Sequence, residues 1–252
     1  MKSAWVTGGG SGIGRAVSLE LARRGFRVAI SGRDLDKLAQ VASDPAGAGQ
    51  ISAFPCDVTD PASIAQALAA IRLQFGEIDK AILNAGTHLP MSAEDFNTAT
   101  ARRLMEVNYF GVVQCLEALL PGMLASRRGQ LAIVASLAGY RGLPTAAAYG
   151  PSKAALMNLC ESLKPDLDRR GVKIQLISPG FVATPLTDLN DFTMPDLIAA
   201  DDAARTIVDG LEKPAFEIAF PWRFSRIMNV MRCLPYGLFF RLTARLSRAA
   251  QQ

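Results

Sequence analysis

The chain has 252 residues, half of them apolar, which is enough to bury a large core and argues against disorder over most of its length. Its formal charge of +4 is unevenly placed: six arginines and no acid fall between residues 221 and 252, and removing those six leaves 21 basic against 23 acidic residues in the first 220. The four cysteines, Cys56, Cys115, Cys160 and Cys233, stand alone without a CxxC pair, which gives no sign of a disulfide framework or a metal site and suits a reducing, cytoplasmic compartment.

Residues 4–7 read as the first strand, too close to the start to leave space for a secretion signal. The strand runs into Thr7-Gly8-Gly9-Gly10-Ser11-Gly12-Ile13-Gly14, and a helical pattern follows over 15–24. Glycines there permit a tight turn and close approach of backbone to a diphosphate, while the helix N-terminus offers free N–H groups and partial positive charge. A triphosphate-binding P-loop would need Gly-Lys-Ser/Thr at the loop's end, where this chain has Gly14-Arg15-Ala16. Taken alone, the loop also admits a turn with no ligand.

Further strands are expected over 27–31, 51–55, 80–84, 129–136, 173–178 and 216–220, separated by helical patterns. Continuously apolar runs such as Ala81-Ile82-Leu83 and Leu131-Ala132-Ile133-Val134 suit strands covered on both faces. The expected fold class is therefore α/β: a doubly wound, seven-stranded parallel sheet with helices on both faces, one domain over 1–220. Gly, Pro or Arg interrupts every apolar stretch before it reaches membrane-spanning length, so no crossing of a bilayer is expected. Pro151 fits the first turn of a helix, and Pro165 should kink or end that helix.

Ser136 ends the fifth strand, and Tyr149 and Lys153 open the next helix at i and i+4, with Cβ atoms about 5–6 Å apart. A nearby ammonium favours ionisation of the phenol by roughly 1–3 pH units. Tyr149 could then exchange a proton with an alcohol or carbonyl oxygen held by Ser136, the hydride being carried by a cofactor. Each residue has an ordinary structural explanation alone; their combination carries the argument.

With these motifs in order, residues 3–220 resemble the short-chain dehydrogenase/reductase family, whose fold is of the Rossmann type. The resemblance rests on Gly8-xxx-Gly12-Ile13-Gly14 with Ser11, on Ser136 and on Tyr149-xxx-Lys153. It implies a fourth catalytic residue at Asn108, which would hold a water in a proton relay through the lysine. It also implies adenine-side contacts at Asp57, Val58, Asn84, Ala85 and Gly86, and nicotinamide-side contacts at Pro179, Gly180, Val182 and Thr184. A cofactor-sensing or scaffold protein that does no chemistry is the competing class.

NAD-selective relatives place an acid at the position of Gly32, and here Arg33 follows it, able to reach a ribose 2′-phosphate. NADP(H) is therefore expected over NAD(H), unless Arg33 merely pairs with Asp34 or Asp36. The loop 185–200 should form a lid made apolar by Leu186, Leu189, Phe192, Met194 and Leu197, with Leu137, Tyr140 and Leu143 lining the same cleft and favouring a lipophilic substrate. The resemblance also implies a homodimer or homotetramer built from helices beginning near Asn97 and Pro151.

The tail, 221–252, reads as two amphipathic helices separated by Pro235 and Gly237. Phe224, Ile227, Met228, Met231 and Leu234 share a face of the first, opposite Ser225, Arg226, Asn229 and Arg232; Leu238, Phe239, Leu242 and Leu246 share a face of the second, beside Arg241, Arg245 and Arg248. Peripheral attachment to the inner face of a membrane, packing over the substrate cleft and a subunit interface all remain open. No nucleic-acid reader motif accompanies the arginines.

Overall fold

The strands of the computed structural model, which describes residues 1–47, 49–189 and 194–249, are β1 (Ser3–Thr7), β2 (Arg27–Ser31), β3 (Ile51–Ala53), β4 (Lys80–Leu83), β5 (Gln130–Val134), β6 (Lys173–Pro179) and β7 (Glu217–Phe220). They form one all-parallel sheet in the order β3-β2-β1-β4-β5-β6-β7. The strand order reverses between β1 and β4, and a crevice opens outside their carboxyl ends at that point.

Alternation along each strand divides the core. Ala4, Val6 and Ile82 pack towards α1 (Gly12–Arg23), α2 (Leu35–Ala42) and α7 (Ala200–Leu211), meeting Val17, Leu38 and Ile207. Trp5, Ala81 and Leu83 point the other way, into Ile64, Leu116 and Leu156 of α3 (Pro61–Phe75), α5 (Gly111–Ser126) and α6 (Tyr149–Arg169). Burial on both faces is why these strands read as unbroken apolar runs.

The strands are shorter than expected at two edges that matter. β5 stops at Val134, so Ser136 lies beyond the strand, where it caps a short 3-10 turn (Leu137–Gly139) by accepting from the Ala138 N–H at 3.1 Å. β3 stops at Ala53, although Phe54 and Cys56 still donate to the carbonyls of Ile30 and Gly32. Helix α6 does not end at Pro165; it continues to Arg169, because the bond that Pro165 cannot donate falls at exposed positions where solvent serves the freed carbonyl. Gly111 and Pro121 likewise leave the stretch Thr98–Ser126 helical. That stretch is long and apolar enough to cross a membrane, and Val112, Leu116 and Leu119 on it are buried in the core.

The tail folds back onto the body as α8 (Trp222–Cys233) and α9 (Tyr236–Ala249). Met228, Met231 and Phe239 join the core on the α6 side, and Phe224 and Leu234 pack against it. The expected faces are partly rotated: Ile227, Leu238 and Leu242 are exposed, and Ser225 is buried. Arg141 fixes the pair. Its Nη1 donates to the carbonyls of Met231, Arg232 and Leu234 at 3.0, 3.0 and 2.6 Å, serving the open end of α8, and its guanidinium lies 4.3 Å from the Phe239 ring centroid.

Candidate active site

The glycine loop turns from β1 into α1 with Gly8 at φ +66°, a conformation that side chains resist. A Cβ at Gly14 would lie 2.2 Å from the Gly8 carbonyl, so the turn closes only with glycine there. Gly14 thus shapes the loop and does not line the cleft. The segment after β4 is pinned to it: Thr7 Oγ1 accepts from the N–H groups of Asn84 and Ala85, and Asn84 Nδ2 donates to the Thr7 carbonyl, all at 3.0 Å.

Between these segments lies a cavity of about 310 Å³ lined by Gly8, Ser11, Arg33, Asp57, Val58, Ala85 and Gly86. The first N–H groups of α1 supply an anion site at its end. Burial pushes the Asp57 carboxyl up, but hydrogen bonds from the Thr59 N–H and hydroxyl, aided by Arg33, hold it below its ordinary value. The competing pairing of Arg33 with Asp34 or Asp36 does not form. Asp34 accepts from the backbone N–H of Lys37 at 3.1 Å as the cap of α2 and pairs with that lysine's ammonium at 2.9 Å. Among the described residues Arg33 has no ion-pair partner, and Lys37, which the sequence reading missed, lines the cavity beside it.

A second cavity of about 320 Å³ shares Gly8, Ser11 and Gly86 with the first and adds Gly12, Ile13, Asn84, Ser136, Tyr149, Lys153, Pro179, Gly180, Val182 and Thr184. Val182 is held by the Thr187 hydroxyl, which donates to its carbonyl at 2.7 Å, and the same hydroxyl oxygen accepts from the Thr184 N–H at 3.0 Å. Lys153 Nζ sits 5.7 Å from the Tyr149 ring centroid and donates to the Val134 carbonyl at 2.9 Å. Burial lowers its pKa to about 8. Burial also raises the Tyr149 phenol, with the Ser136 hydroxyl pulling it partly back. The expected lysine-driven phenolate is therefore not a property of these side chains alone: a low-dielectric site disfavours both charged forms.

Asn108 does not line the cleft. It is fully buried in a single π-helical turn, Glu106–Phe110, that joins α4 (Thr98–Met105) to α5. Its Oδ1 accepts from the Thr87 N–H at 2.8 Å, and its Nδ2 donates to the Thr87 carbonyl and the Ser152 hydroxyl, both at 3.0 Å. One amide thus ties the segment after β4 to the helix carrying Tyr149 and Lys153.

A family model described as short chain dehydrogenase matches residues 2–193, covering this loop, Asn108, Ser136 and the Tyr149/Lys153 pair. The chain belongs to the short-chain dehydrogenase/reductase family. It is 38% identical over 247 residues, 97% of each chain, to an uncharacterized oxidoreductase of Myxococcus xanthus. Two solved structures share its fold at 24% identity. A short-chain dehydrogenase/reductase from Burkholderia phymatum in complex with NAD has a TM-score of 0.82, covering 90% of this chain and 92% of that one. An alcohol dehydrogenase from Thermococcus sibiricus complexed with 5-hydroxy-NADP has a TM-score of 0.78, covering 87% and 96%. As a member of the family the protein is an NAD(P)-dependent oxidoreductase.

Beyond Tyr149 this short-chain dehydrogenase has a smaller chamber of about 120 Å³, where His88, Leu137, Leu143, Phe181, Leu186 and Phe224 surround Ser136 and Tyr149. His88, the only histidine, meets the Tyr149 ring edge-on with centroids 4.7 Å apart. Sequence reasoning passed over it, although it stands two residues beyond Gly86. Tyr140 does not line the chamber; it is buried and its hydroxyl donates to Glu217 Oε1 at 2.7 Å, a carboxylate oxygen that also accepts from the Ser178 hydroxyl at 2.6 Å. Of the expected lid, Leu186 faces the cleft, Leu197 is exposed and Phe192 lies outside the described residues.

Proposed function

We propose that the enzyme interconverts an alcohol and a carbonyl on an apolar substrate with NADP(H), using Tyr149 as the acid and base at the substrate oxygen. The observation that carries this reading is the meeting of Ser136 and Tyr149 at the junction of the long cavity and the apolar chamber. The cradle fits a dinucleotide: Gly8 and Gly14 leave no room for side chains, helix α1 aims free N–H groups at it, and Arg33 borders it with no ion-pair partner among the described residues. The bound nicotinamide supplies or accepts the hydride.

The residues' roles follow from their positions. Ser136 donates to the substrate oxygen and fixes it beside the phenol. Tyr149 gives that oxygen a proton during reduction and takes it back during oxidation. Lys153, anchored on the Val134 carbonyl beside the Tyr149 ring, would offer its ammonium to the cofactor's ribose. Asn108 keeps Thr87 and α6 in register, and Asp57, Val58, Asn84, Ala85, Gly86, Pro179, Gly180, Val182 and Thr184 form the cofactor walls. Arg33, matched by Lys37, selects the 2′-phosphate. We further propose a homodimer or homotetramer built on Thr98–Ser126 and α6, and a cytoplasmic enzyme held peripherally on the inner face of a membrane through residues 221–252.

A panel of hydrophobic ketones, aldehydes and alcohols, followed by nicotinamide absorbance, tests the assignment. Tyr149→Phe should lower turnover about 10²–10⁴-fold while NADPH fluorescence titrations stay unchanged. Undiminished turnover removes Tyr149 from the chemistry. A wild-type chain that binds NADPH and turns over no carbonyl or alcohol would instead be a cofactor sensor.

A further inference from the structure

Helix α8 has two faces with different surroundings. Inward, Phe224 lines the chamber beside Tyr149, Met228 and Met231 enter the core, and the Arg232 guanidinium sits 5.6 Å from the ring centroid of Tyr140. Outward, Trp222, Ile227 and Val230 stand in solvent, as do Leu238, Phe240 and Leu242 on α9; these six are 43–64% exposed. Large apolar side chains at that exposure on two successive helices point to a partner.

The charges around them define its chemistry. Arg223, Arg226 and Arg241 are exposed on the same two helices, no acid occurs between residues 221 and 252, and among the described residues none of the three has an ion-pair partner. Arg223 and Arg226 flank the Trp222 ring at 5.4 and 5.8 Å. On α8, Trp222, Arg226 and Val230 recur at i, i+4 and i+8, with Arg223 and Ile227 beside them, so cations and apolar groups share one strip. A second copy docked about a two-fold axis would bring arginine against arginine with no acid to separate them. An anionic lipid surface satisfies both components: head groups take the arginines, and the acyl boundary takes the apolar side chains.

We propose that the outer strip of α8 and α9 seats the enzyme on a bilayer containing anionic lipid, so that one helix contacts lipid outside while its Phe224 walls the chamber inside. This specifies the surface, and the lipid charge, behind the peripheral location given above. It rests on the oxidoreductase reading only for the use of the chamber, which would then receive a substrate dissolved in the membrane.

The test uses the full chain with phosphatidylcholine vesicles, with and without phosphatidylglycerol. The chain should sediment with the anionic vesicles and remain in the supernatant with neutral ones. Trp222 emission should move to the blue on binding, whereas fully buried Trp5 has no environment to change. Arg226→Gln should weaken partitioning about fivefold. Ile227→Asp with Val230→Asp should abolish it while NADPH titrations, which report a folded cofactor cleft, stay unchanged. Failure of the wild-type chain to bind anionic vesicles overturns the proposal, as does undiminished binding by the Ile227/Val230 variant. A dimer that this variant dissociates, without lipid binding, makes the strip a subunit interface and also overturns it. Vesicle binding by a chain without turnover would sustain this proposal and reject the catalytic one.

Discussion

Around the glycine loop the cleft wall is backbone: Gly8, Gly12 and the first turn of α1 come from one continuous stretch, and Thr7 and Asn84 fasten them to the neighbouring strand. Around the substrate chamber the wall is side chains: His88 follows β4, Leu143 precedes α6, Leu186 follows β6, and Phe224 arrives from α8 after the last strand. The first half serves a ligand whose shape is fixed, so the sheet can hold it rigidly. The second half is assembled from four separate segments, each able to change without disturbing the sheet, which is how a shared fold accommodates different guests.

If the halves are separable, substitutions should act on one and spare the other. Arg33→Ala should raise the dissociation constant for NADPH about 10–100-fold and leave NADH unaffected, measured by fluorescence titration, because a charge-assisted bond to phosphate contributes about 1.5–3 kcal/mol. Equal losses with both cofactors would show that Arg33 supports the loop and selects nothing. Phe224→Ala should raise KM for the best apolar substrate about tenfold with NADPH affinity intact, as expected for one side chain removed from a hydrophobic pocket. Parallel loss of NADPH affinity would join the halves again.

The smallest effect concerns the hinge between them. Lys153 titrates near 8 in the folded chain against an ordinary 10.5, so across that interval the unfolded chain binds more protons and stability rises with pH. The rise between about pH 8 and 9 should be about 1 kcal/mol, read from urea midpoints of the cofactor-free protein, and should disappear in Lys153→Met. Above pH 10 the raised Tyr149 acts with the opposite sign: the unfolded phenol ionises first, and stability falls. A flat profile from 8 to 10 in the unmodified protein would show that the ammonium is solvated.

The contrast between the halves also explains what could be read from sequence. The cofactor side is local and governed by glycine sterics, so its loop and the segments that follow β4 and β6 could be recognised in order along the chain. The chamber depends on chain segments whose meeting no periodicity records. Tyr140 was placed in it by proximity to Ser136, yet the partner Glu217 on the distant β7 draws it aside. The helical faces of the tail were read only in part for the same reason: Phe224, Met228, Met231 and Leu234 do face inward, but Ser225 is buried and Ile227 exposed because the body of the protein, not the apolar count, selects the inward side. The ionisation of Tyr149 was misjudged because spacing gives proximity but not the dielectric around it.

The Arg141 contact with α8 and α9 has a consequence for how the molecule is completed. Everything that cradles the cofactor has been synthesised once β6 and the turn after it are made, whereas Phe224 and the carbonyls that Arg141 grips come later in the chain. A chain cut short before Trp222 would lose Phe224 from the chamber wall, remove Met228, Met231 and Phe239 from the core, and leave Arg141 without the carbonyls it grips.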